Sequence, residues 1–122
     1  MSWIAVGIGG ALGSMARHGV NVMFAQRLLR SEPYGTATVN ILGSLAIGLL
    51  AGLIAGGRLQ LSEEARIFVF VGILGGFTTF SSLMLDTFTL AEGGRPTAAV
   101  VNVLAQVVAG YAVAYLGFRL TT

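Results

Sequence analysis

The chain has 122 residues, of which 55% are hydrophobic and only 10% charged, with a mean hydropathy of +0.84. A soluble domain carries roughly 25% charged residues, so a single soluble core is excluded and lipid is the expected solvent. The basic residues are seven dispersed arginines without a basic patch, which argues against nucleic acid as a partner. The absence of cysteine excludes disulfides, thiol catalysis and cysteine metal sites.

Long uncharged runs separate the charged clusters. Three of them, of 25, 19 and 22 residues, span residues 33–57, 67–85 and 97–118. Each meets the requirement of about 20 apolar residues for a spanning helix. A fourth segment, 3–26, is long enough but contains Arg17 and His18. We therefore predict one all-α integral membrane domain, 1–122, with four transmembrane helices near 3–28, 34–56, 64–91 and 97–119.

Small residues recur at four-residue spacing in the first two predicted helices. The first contains Gly9 and Gly13, and the second contains Ser44, Gly48 and Gly52. Such spacing lets helix backbones approach closely in lipid. It predicts helix packing and does not by itself indicate a function.

The arginines of the predicted loops do not fix a direction of insertion. Three lie on one side of a four-helix arrangement and three on the other: Arg58, Arg66 and Arg119 against Arg27, Arg30 and Arg95. The first helix could set the orientation by another means. Alternatively, copies insert in both directions and pair antiparallel, which is dual topology.

Several polar residues fall inside the predicted helices, where an uncompensated polar group is costly. Arg17 could snorkel to the interface, or it could face a water-filled vestibule. Asn40 on the second helix, and Asn102 with Gln106 on one face of the fourth, could bond to other helices. They could equally line an anion path, and the spacing leaves both interpretations open.

The stretch "GGFTTFSS", residues 75–82, lies near the middle of the third predicted helix. Glycine, threonine and serine weaken the helical ladder. We predict a break at 75–79, which lipid tolerates only where the backbone is buried in protein or lines a wet cavity. Freed carbonyls could coordinate a cation, and helix N-termini and hydroxyls could meet an anion. A kink without function is the alternative.

The distribution of ionisable residues argues against several functions. The chain has neither a Ser/His/Asp set nor a His/Glu cluster, so we do not expect an enzyme. A small dual-topology, proton-coupled multidrug exporter would need a carboxylate in the first helix, and residues 3–24 contain none. A membrane scaffold without conduction would give no reason for the break.

Four stretches together resemble the Fluc/CrcB family of fluoride channels. They are "GGALGSMAR", "GTATVNILGSLAIG", "GGFTTFSS" and "YLGFRL", which occur in order on all four predicted helices. The resemblance implies an antiparallel dual-topology homodimer with two pores in the cell inner (plasma) membrane. It implies passive, selective export of cytoplasmic fluoride, which reduces fluoride toxicity. A paired paralogue in place of a second identical copy remains open.

The resemblance also implies roles for individual residues. The backbone carbonyls of Gly75 and Thr78 would hold a structural Na⁺ at the dimer centre, and Arg17 would lie near the aqueous vestibule. The fluoride pathway would comprise Asn40, Thr79, Phe80, Ser81, Asn102 and Gln106. Four positions depart from the family pattern. Leu83 stands where a second pore phenylalanine is common, Asn102 where tyrosine is, and Gln106 where serine is. His18 stands after the arginine where an aromatic residue is common.

Overall fold

The computed structural model describes residues 1–28 and 33–122, and every regular element among these residues is a helix. The description excludes residues 29–32, with Arg30 and Glu32, and the side chains of Arg27 and Leu28. The prediction of an all-α chain is confirmed for the described residues. In chain order the elements are α1 (Ser2–Leu28), α2 (Tyr34–Ala55), α3 (Glu63–Arg66), a π-helix (Ile67–Leu74), α4 (Gly75–Phe77), α5 (Phe80–Glu92) and α6 (Pro96–Thr121).

The stretch Glu63–Glu92, here called the broken helix, is one long rod with an interruption. Its first half, 63–77, runs through α3, the π-helix and α4, and its second half is α5. The broken helix, α2 and α6 are each long and apolar enough to cross a bilayer, by length and composition. α1 has 27 residues but is not among the helices that meet this criterion.

Glycines bring α1 against the first half of the broken helix. A Cβ added at Gly9 would lie 2.6 Å from the Phe68 carbonyl oxygen and 3.0 Å from the Gly72 Cα. One added at Gly13 would overlap the Ile73 carbonyl, which lies one turn further along. The four-residue spacing in α1 therefore forms a packing seam, as small residues do between membrane helices.

A second close seam joins α2 to α6. Gly48 lies against the backbone of Ala114, and Gly52 lies against Phe118. At the end of α6 the Thr121 hydroxyl donates a 2.9 Å hydrogen bond to the Leu49 carbonyl. The two helices consequently run side by side along most of their length and carry the polar residues described below.

The connections between these helices use the residues that turns need. Gly57 follows α2 with φ 74° and Gly94 follows α5 with φ 76°, a region that L side chains rarely adopt. Ser62 accepts the Ala65 N–H at 3.2 Å and so caps α3. Pro96 occupies the first turn of α6, where its missing N–H costs nothing.

The distribution of side chains is the reverse of that in a soluble domain. Among the described residues, the buried side chains include five polar or charged ones: Thr36, Thr79, Asp86, Asn102 and Gln106. Large apolar side chains such as Trp3, Met15, Tyr111 and Leu120 are exposed. A surface of this kind is stable in lipid rather than in water, as the composition predicts.

Candidate functional site

The backbone leaves the helical path at Thr78 and Thr79, within the stretch where the sequence predicts a break. Thr78 has φ −87° and ψ 158°, and Thr79 has φ −154° and ψ 120°, so both are extended. Gly75 and Gly76 remain helical, and Gly76 packs closely against the Gly10 carbonyl of α1. Gly76 thus serves helix packing, and the threonines form the interruption itself.

Asn40 of α2 binds the extended peptide of Thr79 through two hydrogen bonds. Its Oδ1 accepts the Thr79 N–H at 2.8 Å, and its Nδ2 donates to the Thr79 carbonyl at 3.1 Å. Both backbone groups are therefore satisfied by a side chain from another helix. This pairing explains how a two-residue extended segment persists inside the membrane without water.

The second half of the broken helix starts with its own cap. The Thr79 hydroxyl accepts the Ser82 N–H at 3.2 Å, as an N-cap residue does. The same hydroxyl also lies 3.3 Å from the Ser81 Oγ and donates to the Ser82 Oγ at 3.2 Å. A cluster of three hydroxyl groups consequently surrounds the first turn of α5.

The helical hydrogen-bond ladder is interrupted at this point, and the carbonyls of Gly75 and Thr78 are among those affected. In a continuous helix the Thr79 N–H would bond to the Gly75 carbonyl, but it bonds to Asn40 instead. The Ser82 N–H would bond to the Thr78 carbonyl, but it bonds to the Thr79 hydroxyl. Gly75 and Thr78 are the residues whose carbonyls the resemblance assigns to a sodium ion.

A directional chain of side-chain hydrogen bonds runs from Asn40 along α6. Asn40 Nδ2 donates to Gln106 Oε1 at 2.8 Å, and Gln106 Nε2 donates to Asn102 Oδ1 at 2.9 Å. Asn102 Nδ2 donates to the Thr87 Oγ1 at 3.1 Å, and that hydroxyl donates to the Leu83 carbonyl at 2.7 Å. These amides link three helices and also border cavities.

One of these cavities is a groove of about 460 Å³ alongside the break. The residues that line this groove include Asn40, Thr79, Phe80, Leu83 and Gln106. The groove therefore combines hydroxyl and amide groups with an aromatic ring. Phe80 is 72% exposed and Leu83 only 4%, so the leucine is part of the chain's interior while the ring projects from its surface.

The remaining predicted residues lie in different places. Asn102 is buried next to Gln106 and borders a second cavity, between α2, α5 and α6. Ser81 is exposed at the start of α5. Arg17 is half-buried on α1 and does not line the groove. The structure thus brings Asn40, Thr79, Phe80, Ser81 and the two amides of α6 together, and leaves Arg17 apart.

Two residues of this region were missed at the level of sequence. Thr87 is the last side chain of the hydrogen-bonded chain. Nothing in the sequence around it indicates that it accepts a hydrogen bond from α6. Asp86 is only 4% exposed although the sequence places it in a charged cluster at the membrane boundary. Among the described residues, no group of three or more His, Cys, Asp or Glu side chains is placed to hold a metal ion.

Comparison with known proteins places the chain in one family. Residues 4–118 match the family described as CrcB-like protein, Camphor Resistance (CrcB). A fluoride-specific ion channel FluC of Roseiflexus sp. is 44% identical over 96% of this chain and 94% of its own length. One from Thermus thermophilus is 43% identical over 97% and 93%, and one from Paracoccus denitrificans is 48% identical over 95% and 90%.

These matches cover all the helices that carry the candidate site, from α1 to the last turn of α6. The relatives bear the names of ion channels, and the three long apolar helices identify a multi-pass membrane protein. The chain belongs to the family of CrcB-like proteins, Camphor Resistance (CrcB).

Proposed function

We propose that this protein is a passive, fluoride-selective channel that lets cytoplasmic fluoride leave the cell and so reduces its toxicity. The observation that carries the proposal is the pairing of Asn40 with Thr79, because it presents hydroxyl and amide groups to a groove at the break. The names of the relatives support the same ion. The cell inner membrane is the proposed location.

Fluoride is small and strongly hydrated, so its pathway must replace water with closely spaced donors. The hydroxyls of Thr79 and Ser81 and the amide of Gln106 are candidates, since each has more than one hydrogen-bonding option. The edge of the Phe80 ring is the positive end of its quadrupole and can face an anion. Asn40 takes part mainly by fixing this arrangement, because both of its N–H groups already donate.

A fourth spanning helix follows from this proposal. α1 has 27 residues and packs through Gly9 and Gly13 along the first half of the broken helix, which is itself long enough to cross the bilayer. α1 therefore lies alongside a spanning helix over several turns. We assign α1 as the fourth transmembrane helix on this ground.

An antiparallel dual-topology homodimer is the proposed assembly. Supporting it are the equal division of six arginines between the two sides and the 72% exposure of Phe80 beside an open groove. A second copy would cover that groove and enclose a path that one chain leaves open. Antiparallel packing would give two such paths for each dimer.

We also propose that a structural sodium ion binds the backbone at the break. The carbonyls of Gly75 and Thr78 have both lost their helical N–H donors to side-chain acceptors, so their oxygens remain available as hard ligands. These carbonyls would hold the ion at the dimer centre. When bound, sodium supplies a positive charge that offsets the carbonyl dipoles of the two chains.

The proposal is tested by anion efflux from liposomes that contain the purified protein under a potassium gradient. We expect fluoride to leave rapidly and chloride to stay, with protein-free liposomes as the control. Equal release of both anions would refute selectivity. No fluoride release from protein that is shown to be folded would refute the channel itself.

The rival function, a proton-coupled multidrug exporter, has less support. α1 contains no carboxylate, and the names of the relatives point to an ion channel. The liposome experiment separates the two functions, since an exporter would need a proton gradient for its transport and a passive channel would not.

A further inference from the structure

A third cavity is an apolar groove of about 450 Å³ between the end of α2 and the start of the π-helix. α2 packs mainly on α6 and the π-helix packs mainly on α1, so neither fills the space between them. Val71 is 57% exposed, and the groove therefore opens onto the surface of the chain. Its apolar lining consists of Ala51, Ile54, Ala55, Ile67, Phe70 and Val71.

Arg66 lies at one end of the apolar groove. Among the described residues that line the groove it is the charged one, and it is exposed. It immediately precedes the uncharged run that starts at Ile67, and an arginine near the end of a spanning helix extends towards the lipid head groups. The acidic residues Glu63 and Glu64 lie in the preceding turn and do not line the groove.

A groove with this combination of surfaces matches an anionic phospholipid. An acyl chain supplies the dispersion contacts that an empty apolar groove would lose. A guanidinium binds phosphate oxygens through paired N–H groups, and a positive charge beside a membrane helix attracts an anionic head group. The charge of Arg66 thus selects among lipids that would all fill the apolar part equally well.

We propose that the apolar groove binds one anionic phospholipid, with an acyl chain along Phe70 and the last turn of α2 and the phosphate on Arg66. Phe70 also borders the groove beside the break, so the bound lipid supports a side chain that the two grooves share. The inference goes beyond the proposed function, because it concerns a lipid and not the conducted ion.

The first test compares thermal unfolding in detergent micelles that contain either phosphatidylglycerol or phosphatidylcholine. We expect the wild type to unfold at a higher temperature with phosphatidylglycerol, because a ligand of the folded state stabilises it. Arg66→Gln should abolish this difference. Arg58→Gln is the matched control and should keep it, since Arg58 is exposed on the adjoining loop and does not line the groove. Equal unfolding temperatures of the wild type in both lipids would overturn the proposal.

The second test locates the lipid by quenching of fluorescence. Trp3 is the only tryptophan of the chain, so Trp3→Phe provides a background for one introduced tryptophan. Val71→Trp lies in the apolar groove, and Val108→Trp lies on the exposed surface of α6 outside the described cavities. Each is placed in phosphatidylcholine vesicles that contain increasing fractions of phosphatidylglycerol with brominated acyl chains, which quench tryptophan on contact.

We expect half-maximal quenching of Val71→Trp at a fraction of brominated lipid about fivefold lower than for Val108→Trp, the preference that one arginine near an anionic head group provides. Arg66→Gln should abolish the difference. Equal quenching at both positions in the parent background would overturn the site, because it would show bulk lipid alone. Quenching of Val108→Trp alone would also overturn it, because a second copy of the chain would then cover the groove.

Phe70→Trp serves as a second position in the groove if Val71→Trp fails to fold. Neither test measures fluoride. The lipid site and the channel can therefore fail independently, since the efflux experiment decides the proposed function and these two experiments decide the lipid.

Discussion

The carboxamide of Asn40 and the peptide of Thr79 join through two hydrogen bonds of opposite sense, 2.8 and 3.1 Å long. Two residues of neighbouring antiparallel strands form the same pair of hydrogen bonds, one donated and one accepted by each residue. Here the side chain of Asn40 takes the place of one of the two backbones. A single asparagine therefore provides what an extended segment of two residues would otherwise lack within a helical protein.

Replacement of Asn40 by leucine should both destabilise the chain and stop fluoride efflux. The Thr79 N–H and carbonyl would lose their partners, at about 1–3 kcal/mol for each buried polar group left unsatisfied. Thermal unfolding in detergent and liposome efflux measure the two effects. Asn40→Asp is the informative companion, since it keeps the acceptor for the Thr79 N–H and loses the donor. Wild-type stability of Asn40→Leu would show that the pairing does not hold the break.

The two threonines of the break should differ in their contribution to stability. Thr79→Val removes the cap of Ser82 and should cost about 1 kcal/mol. Thr78→Val removes a hydroxyl bond to the Leu74 carbonyl, which the Thr78 N–H also reaches at 3.0 Å, so we expect a smaller loss. Comparative thermal unfolding measures the difference. An equal loss for both variants would contradict the capping role of Thr79.

Phe80→Leu should leave the folded chain intact and reduce fluoride efflux. The ring is 72% exposed and so contributes little to packing within the chain, while its edge is the part expected to face the anion. Phe88→Leu is the matched control, because Phe88 lies two turns along the same helix and is 63% exposed. A similar loss of efflux in both variants would argue against a specific role for Phe80.

The glycine seam between α1 and the broken helix should not accept a methyl group. An added Cβ at Gly13 would overlap the backbone of Ile73, which cannot move without shifting the whole helix. We expect Gly13→Ala to lower the unfolding temperature and broaden the elution profile in detergent. Gly7→Ala is the control, since a Cβ there meets nothing within 4 Å. Normal behaviour of Gly13→Ala would contradict the close approach of the two helices.

Sodium should stabilise the folded protein if the carbonyls of Gly75 and Thr78 bind it. A ligand at a hundred times its dissociation constant adds about 2.7 kcal/mol to the free energy of unfolding. Thermal unfolding in sodium chloride and in choline chloride at equal ionic strength measures this effect. The same unfolding temperature in both salts would argue against a structural ion, independently of whether the protein conducts fluoride.

The sequence predicts the helical segments well because lipid imposes a simple rule of length and polarity on them. Uncharged runs mark α2, the broken helix and α6, and four-residue spacing of small residues marks the seams through Gly9 and Gly48. Polarity also locates the break to within a few residues of its position in the structure, since consecutive polar and small residues are unusual in the middle of an apolar helix.

The details of the site depend on contacts between distant parts of the chain, and local pattern does not contain them. The threonines leave the helical path because the partner of Thr79 is Asn40, 39 residues away. Gly76, next to them, is helical and packs on α1. Thr87 illustrates the same limit, because its partner on α6 is decided by packing.

The pairing of Asn40 with Thr79 also has a consequence for biosynthesis. α2 precedes the broken helix in the chain, so the asparagine is already made when the extended peptide leaves the ribosome. Gln106 and Asn102 follow on α6 and complete the chain of hydrogen bonds last. The order of synthesis thus supplies the partner before the segment that needs it, and moving α2 behind α6 by circular permutation would reverse that order.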